Sequence, residues 1–138
     1  MHYLKKLNLF LLIGFISYLP ASNTDIFYST VSGVVFIAGD NGMGSGVIIS
    51  DDGHILTNWH VVEDNPNLHA LTLGDGDLDE NNRGLELIKY NPKKDLALLK
   101  LTTIPRNVSV IKISKVTQKV GERVHAIGHP RGEMWSYA

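Results

Sequence analysis

The chain has 138 residues, of which 43% are hydrophobic and 20% are charged, a balance typical of a globular domain and not of a disordered or fibrous one. Its 13 basic and 14 acidic side chains leave a formal net charge of −1, so the sequence lacks the basic excess that favours nucleic acid as a partner. It contains no cysteine, which excludes a disulfide scaffold and a four-cysteine zinc site.

Residues 1–21 have the layout of a secretory signal peptide. Two lysines near the start precede an uncharged, largely apolar run over residues 7–19, and Pro20 and two small residues follow it. The run is shorter than the roughly 20 residues that a membrane-spanning helix needs. We therefore predict a secreted or periplasmic protein with a leader over 1–21 and one globular domain over 22–138. Because Leu19 lies where cleavage prefers a small residue, an uncleaved membrane anchor is the alternative.

From residue 22 onward, short β-type runs alternate with turn residues, and no stretch keeps a helical period over ten residues. An Asp52-Gly53 pair between two apolar runs predicts a hairpin in which both central residues have positive φ. One helical turn at most is expected, after His60. The pattern predicts an all-β antiparallel sandwich or barrel. Strands are predicted over residues 31–38, 46–50, 54–58, 68–73, 85–90, 96–101, 108–113 and 123–127.

Two polar residues lie at the ends of apolar runs, where a rigid sheet can present a side chain at a cleft. His60 follows the strand predicted over 54–58, and Asp95 opens the run over 96–101. A carboxylate there can accept a hydrogen bond from an imidazole, fix its tautomer and stabilise the imidazolium. Alone, His60 would more often be structural and Asp95 could be a solvated turn acid beside two lysines. The order His then Asp in one β-rich segment favours a catalytic pair.

Three blocks of the sequence closely resemble trypsin-like serine proteases of the HtrA/Deg group. Residues 44–62 (GSGVIISDDGHILTNWHVV) resemble the glycine, hairpin and histidine segment of that group. Residues 95–101 (DLALLKL) are similar to its catalytic-aspartate strand, and residues 120–132 (VGERVHAIGHPRG) to the segment that opens the second barrel. The three blocks occur in the family's order, which makes the resemblance specific.

The resemblance implies a chymotrypsin-like double Greek-key β-barrel, with the first barrel nearly complete and the second truncated. It implies a serine-type endopeptidase that hydrolyses polypeptides through a His-Asp-Ser triad, with His60 as general base and acid and Asp95 orienting it. By the same analogy no cofactor is expected, and a homo-oligomer is expected as the assembly.

The nucleophile of such a triad has no counterpart in the sequence, because no serine lies in a motif like GNSGG. Ser45 lies between glycines but matches the hairpin before the histidine, and Ser136 has no neighbouring glycine to form an oxyanion hole. We therefore expect a fragment that is inactive by itself, whose nucleophile is a Ser or Cys outside the chain. Two alternatives stay open: a catalytically inactive secreted β-barrel binding module, and a truncated gene product.

Two groups of residues have partial metal-site patterns, and we assign neither as ligands. His125 and His129 are four residues apart, but they lie in a predicted strand and turn, and an HExxH motif is absent. Four acidic residues fall at positions 1, 3, 5 and 12 of a calcium-loop pattern, namely Asp75, Asp77, Asp79 and Glu86. Glu80 occupies the position that needs glycine, so a solvated acidic loop is expected and calcium is the alternative.

Overall fold

The structure is a computed structural model that describes residues 22–73 and 82–138. The predicted signal peptide and most of the acidic loop, for which calcium binding was the alternative, therefore lie outside the described residues. The helices are α1 (Asn23–Thr30) and α2 (Trp59–Val62), with short 3₁₀ turns at Val31–Gly33, Pro92–Lys94 and Pro130–Gly132. The strands are β1 (Val34–Gly39), β2 (Gly42–Ile48), β3 (His54–Thr57), β4 (His69–Leu71), β5 (Arg83–Asn91), β6 (Leu96–Leu101), β7 (Ile127–Gly128) and β8 (Ser136–Tyr137).

Six of these strands close into an antiparallel barrel in the order β1-β2-β3-β6-β5-β4, and β4 pairs back onto β1 to complete it. Closure leaves no edge strand in the barrel, so every strand has two neighbours. Strands β7 and β8 form a separate two-stranded sheet. The predicted all-β fold with a barrel is confirmed.

The barrel interior is filled by apolar side chains, which alternate most clearly along β6. In β6, Ala97, Leu99 and Leu101 are buried, whereas Leu96 is exposed. Burying each large aliphatic side chain stabilises the fold by roughly 1.5–3 kcal/mol relative to leaving it in water. The buried cluster is completed by residues from the other strands and from α2: Val35, Ile37, Ile48, Ile55, Val61, Val62 and Ala70.

The turn between β2 and β3 forms where it was predicted, but its predicted conformation was wrong. Only Gly53 has a positive φ, of 84°. Its amide donates to the carbonyl of Ser50 at 3.1 Å, and the amide of Ile49 donates to His54 at 2.8 Å. The connection is thus a four-residue loop built on an ordinary turn, in which only the last residue needs the left-handed region.

Two further elements differ from the sequence predictions. Helix α1 was not anticipated; the Ser22 hydroxyl caps it by accepting from the amide of Asp25, and the Asp25 carboxylate caps the amide of Ser22 in return. The strands predicted over 108–113 and 123–127 were wrong apart from Ile127, the one residue of these ranges that pairs as a strand in the described residues. Residues 108–113 have no partner strand in the described part of the chain, and without one an apolar alternation cannot complete a ladder.

No helix in residues 22–73 or 82–138 combines the length and the apolar character that crossing a membrane would require.

Candidate active site

The pairing of β3 with β6 brings the two candidate residues to the same end of the barrel. Thr57, the last residue of β3, lies opposite Ala97 near the start of β6. In an antiparallel pair, the residues that follow one strand therefore meet those that precede the other. Asn58 and His60 follow β3, and Asp95 immediately precedes β6.

His60 and Asp95 are joined by two hydrogen bonds. The imidazole Nδ1 lies 2.7 Å from Asp95 Oδ2, and the backbone amide of His60 donates to Asp95 Oδ1 at 2.9 Å. Each oxygen of the carboxylate is thus engaged by a different donor of the same residue. This fixes both the position of the carboxylate and the plane in which the imidazole meets it.

The backbone at Asp95 adopts an uncommon conformation that aims its side chain back at β3. Its φ and ψ are 50° and 51°, in the left-handed region that aspartate enters more readily than most residues. The 3₁₀ turn over Pro92–Lys94 sets this geometry, because the Asp95 amide donates to the carbonyl of Pro92 at 3.1 Å. The side chain of Asn91 caps the same turn by accepting from the amide of Lys94 at 3.2 Å.

The charge state of Asp95 follows from these contacts. The backbone amide of His60, and then its imidazole, hold the pKa of the Asp95 carboxyl below its usual value. Asp95 is therefore ionised near neutral pH and can only accept hydrogen bonds. Nδ1 of His60 must then carry the proton in the neutral ring, which leaves the lone pair on Nε2. The His60 side chain is 69% exposed, so this ring is open to a reacting group.

Helix α2 holds His60 by two contacts on either side of it. Trp59 stacks on Tyr90 of β5, with ring centroids 4.3 Å apart and an interplanar angle of 16°. Val61 packs on β2 at Gly44, where an added Cβ would lie only 2.6 Å from a methyl of Val61. Gly44 therefore allows the close approach of α2 to the barrel.

The two serines considered as nucleophiles contact other residues than His60. Ser45 Oγ accepts from the backbone amide of His129 at 2.9 Å and lies 3.1 Å from its Nδ1. Ser136 Oγ lies 3.4 Å from a carboxylate oxygen of Glu133. Neither geometry resembles a nucleophile poised against His60.

The two histidines of the discarded zinc pattern have separate partners. Nδ1 of His125 lies 2.7 Å from the hydroxyl of Tyr137, and Nδ1 of His129 contacts Ser45. Burial lowers the pKa of His129 to about 4, so its ring is neutral at physiological pH. Across the described ranges, no three His, Cys, Asp or Glu side chains are grouped so that they could hold a metal ion.

Sequence reasoning missed Asn58 as a member of this site. Its Nδ2 donates to Asp95 twice, to the carboxylate Oδ2 and to the backbone carbonyl, at 3.1 Å each. The signal available in the sequence was an amide side chain two residues before the candidate histidine. That spacing alone gives no indication of which residue the amide would contact.

A six-stranded barrel that presents a paired histidine and aspartate at one end defines a class of protein, the trypsin-like peptidases. A family profile described as "Trypsin-like peptidase domain" matches residues 44–137. The chain belongs to this family. The match spans all three blocks that carried the resemblance.

Curated relatives and solved structures agree with this assignment. A "Probable periplasmic serine endoprotease DegP-like" of Pseudomonas putida is 40% identical over 91 residues, covering 65% of this chain and 18% of the relative. A relative of the same name from Chlamydia muridarum is 37% identical over 90 residues, covering 64% of this chain and 17% of its own length. The crystal structure of a serine endoprotease from Yersinia pestis superposes with a TM-score of 0.72 at 29% identity, covering 86% of this chain and 43% of that one. The chain thus spans under a fifth of the length of these curated relatives.

Proposed function

We propose that this chain supplies the base and the orienting carboxylate of a secreted or periplasmic serine endopeptidase that hydrolyses polypeptides. The observation that carries the proposal is the double hydrogen bond between His60 and Asp95 at the end of a closed barrel. Family membership supports the class of reaction. The names of the relatives, which describe them as probable periplasmic serine endoproteases, support the compartment.

In the proposed mechanism, Nε2 of His60 takes a proton from a nucleophilic hydroxyl as that oxygen attacks the scissile carbonyl, and later gives it to the leaving amine. Asp95 keeps the Nδ1–H tautomer in place and stabilises the imidazolium that forms. Its ionised state is what this role needs, and the lowered pKa of Asp95 supports it. The reaction also needs a hydroxyl and oxyanion-stabilising amides, which we assign to a part of the protein outside residues 1–138.

Two features of the whole protein belong to the same proposal. Residues 1–21 would act as the export leader, cleaved before Ser22 or retained as an anchor. A homo-oligomer would form by analogy with the family. The rival hypothesis is a secreted β-barrel binding module that retains His60 and Asp95 without catalysis.

The test is covalent labelling of the full gene product with a fluorophosphonate probe, which reacts with a serine activated by a neighbouring base. We expect labelling of the wild-type protein and a loss of at least about a thousandfold in labelling rate for His60→Ala.

His69→Ala is the matched control, because His69 lies in β4 and, among the residues that the structure describes, its Nδ1 contacts the backbone carbonyl of Asn67 at 3.2 Å and not His60 or Asp95. This variant should label at the wild-type rate. A wild-type protein that does not label, or a His60→Ala protein that labels as fast as the control, would refute the peptidase proposal and favour the binding module.

A further inference from the structure

The side chain of Asn58 is committed to Asp95. Its Nδ2 lies 3.1 Å from the backbone carbonyl of Asp95 and 3.1 Å from Oδ2 of the same residue. Both partners are oxygens that can only accept, so the amide nitrogen and not the amide oxygen must face them. One NH₂ group therefore ties the main chain and the carboxylate of Asp95 together.

Helix capping does not account for this asparagine. Asn58 occupies the N-cap of α2, where asparagine commonly accepts a hydrogen bond from the first turn, yet its side chain makes no such bond. The amide of His60, in that first turn, donates instead to Asp95 Oδ1. Asp95, which immediately precedes β6, thus caps α2, and the side-chain amide of Asn58 contacts Asp95 instead of the first turn of α2.

One of the two contacts of Asn58 is made to Oδ2 of Asp95, the atom that also contacts the imidazole of His60. Asp95 Oδ2 accepts from Asn58 Nδ2 at 3.1 Å and from His60 Nδ1 at 2.7 Å. Asp95 is 46% exposed at its side chain and its backbone is in the left-handed region, so neither burial nor a relaxed backbone holds the carboxylate. The Asn58 amide on Oδ2 therefore adds to the two bonds from His60 in opposing rotation of the carboxylate into water.

We propose that Asn58 is a positioning residue that holds Asp95 against Nδ1 of His60, a role that rests on the function proposed above. It touches neither the substrate nor the nucleophile in this role. It acts through Asp95, by keeping Oδ2 within hydrogen-bond distance of the ring and thereby keeping Nε2 free to accept a proton.

The experiment compares Asn58→Ala with Asn67→Ala in the full gene product. Asn67 provides a matched control, because its Nδ2 also donates to an aspartate carboxylate, Asp40 Oδ2, at 2.7 Å. The two variants thus remove the same kind of contact by the same substitution. Two measurements are made on each: the rate of fluorophosphonate labelling, and the tautomer of the His60 ring from its ¹⁵N chemical shifts, assigned with His60→Ala.

For Asn58→Ala we expect a labelling rate about tenfold lower or more, as for the loss of one hydrogen bond to a charged group. We also expect a shift of the His60 proton from Nδ1 towards Nε2. Asn67→Ala should change neither reading. If Asn58→Ala does not fold, as judged by its far-ultraviolet circular dichroism, Asn58→Ser replaces it, because serine keeps a preferred N-cap residue while shortening the donor.

The two readings separate this proposal from the proposed function. An unchanged tautomer in the Asn58 variant, or an equal shift in the Asn67 variant, would overturn the positioning role. A shifted tautomer in a protein whose wild type takes up no probe would overturn the peptidase proposal while leaving the positioning role in place.

Discussion

The barrel over residues 34–101 and the segment over residues 102–138 contain similar apolar runs but reach different structures. In the barrel, Ile55 of β3 is fully buried and paired on both sides. In the later segment, Ile113 is 67% exposed and Val124 is 71% exposed. The difference lies in the neighbours and not in the local sequence, because a strand is stable only where adjacent strands complete its ladder and cover its apolar face.

The later segment contacts the barrel through the side chains of Val108 and Val110, which pack against the core cluster, and through several polar groups. The amide of Ile111 donates to the carbonyl of Ile48 at 2.8 Å, and Ser109 Oγ lies 2.8 Å from Ser32 Oγ. The indole of Trp135 donates to the carbonyl of Val34 at 3.0 Å. The site formed by His60 and Asp95 depends on none of these bonds, since both residues are held by elements of the barrel.

The largest expected difference between the two regions comes from removing the same side chain in each. Ile55→Ala should lower the free energy of unfolding by about 2–5 kcal/mol, because it leaves a cavity in a closed core. Ile113→Ala should change it by less than about 0.5 kcal/mol, because that side chain is mostly in water already. Urea unfolding measures both, and equal losses would contradict the division of the chain into a packed barrel and a loosely packed segment.

A smaller difference is expected when a methyl group is added to a glycine in each region. A Cβ at Gly46 would lie 2.6 Å from Cγ2 of Ile55 and 2.8 Å from Cδ1 of Ile37, inside the packed core. Gly46→Ala should therefore cost about 1–3 kcal/mol of unfolding free energy. At Gly128, the nearest atom is the hydroxyl of Ser45 at 3.1 Å, so Gly128→Ala should cost less than half as much. Thermal unfolding of both variants provides the measurement, and a larger loss at Gly128 would reverse the comparison.

The last expected effect concerns pH, at the point where the two regions meet. Burial lowers the pKa of His129 to about 4, whereas the unfolded chain takes up that proton near pH 6.5. The unfolded state therefore binds more protons between these values, and stability should fall as pH drops from about 6.5 to about 4. In the His129→Gln variant, the urea midpoint of unfolding should change less with pH across this window than it does in the wild type.

Asp95→Asn is the control for that measurement. The pKa of Asp95 is lowered by the amide and imidazole of His60, so its contribution is present above its unfolded pKa and is lost only as pH falls below it, near 4 and lower. This variant should keep the wild-type slope between pH 6.5 and 4. A wild-type midpoint that does not change across the window would contradict the buried neutral state of His129.

The sequence predicted the barrel strands well because the pattern of apolar residues within each strand indicates it locally. The run over Leu96–Leu101 was predicted with the bounds that the structure has, since its alternation matches one buried face. The Asp-Gly pair marked the hairpin, but it did not specify the turn type, which depends on the number of residues between the closing strands. The sequence contains the capping box of α1, formed by Ser22 and Asp25, but no helix was predicted from it.

What the sequence by itself determined was the class of fold and the pair of residues to examine, because periodicity and motif order are properties of the chain. Only the tertiary structure decided how they meet. The antiparallel pairing of β3 with β6 places Asp95 beside His60, and the left-handed backbone of Asp95 turns its carboxylate towards the ring. The tertiary structure also revealed the contact of Asn58 with Asp95, since a hydrogen bond between residues 37 positions apart is set by strand register and not by local sequence.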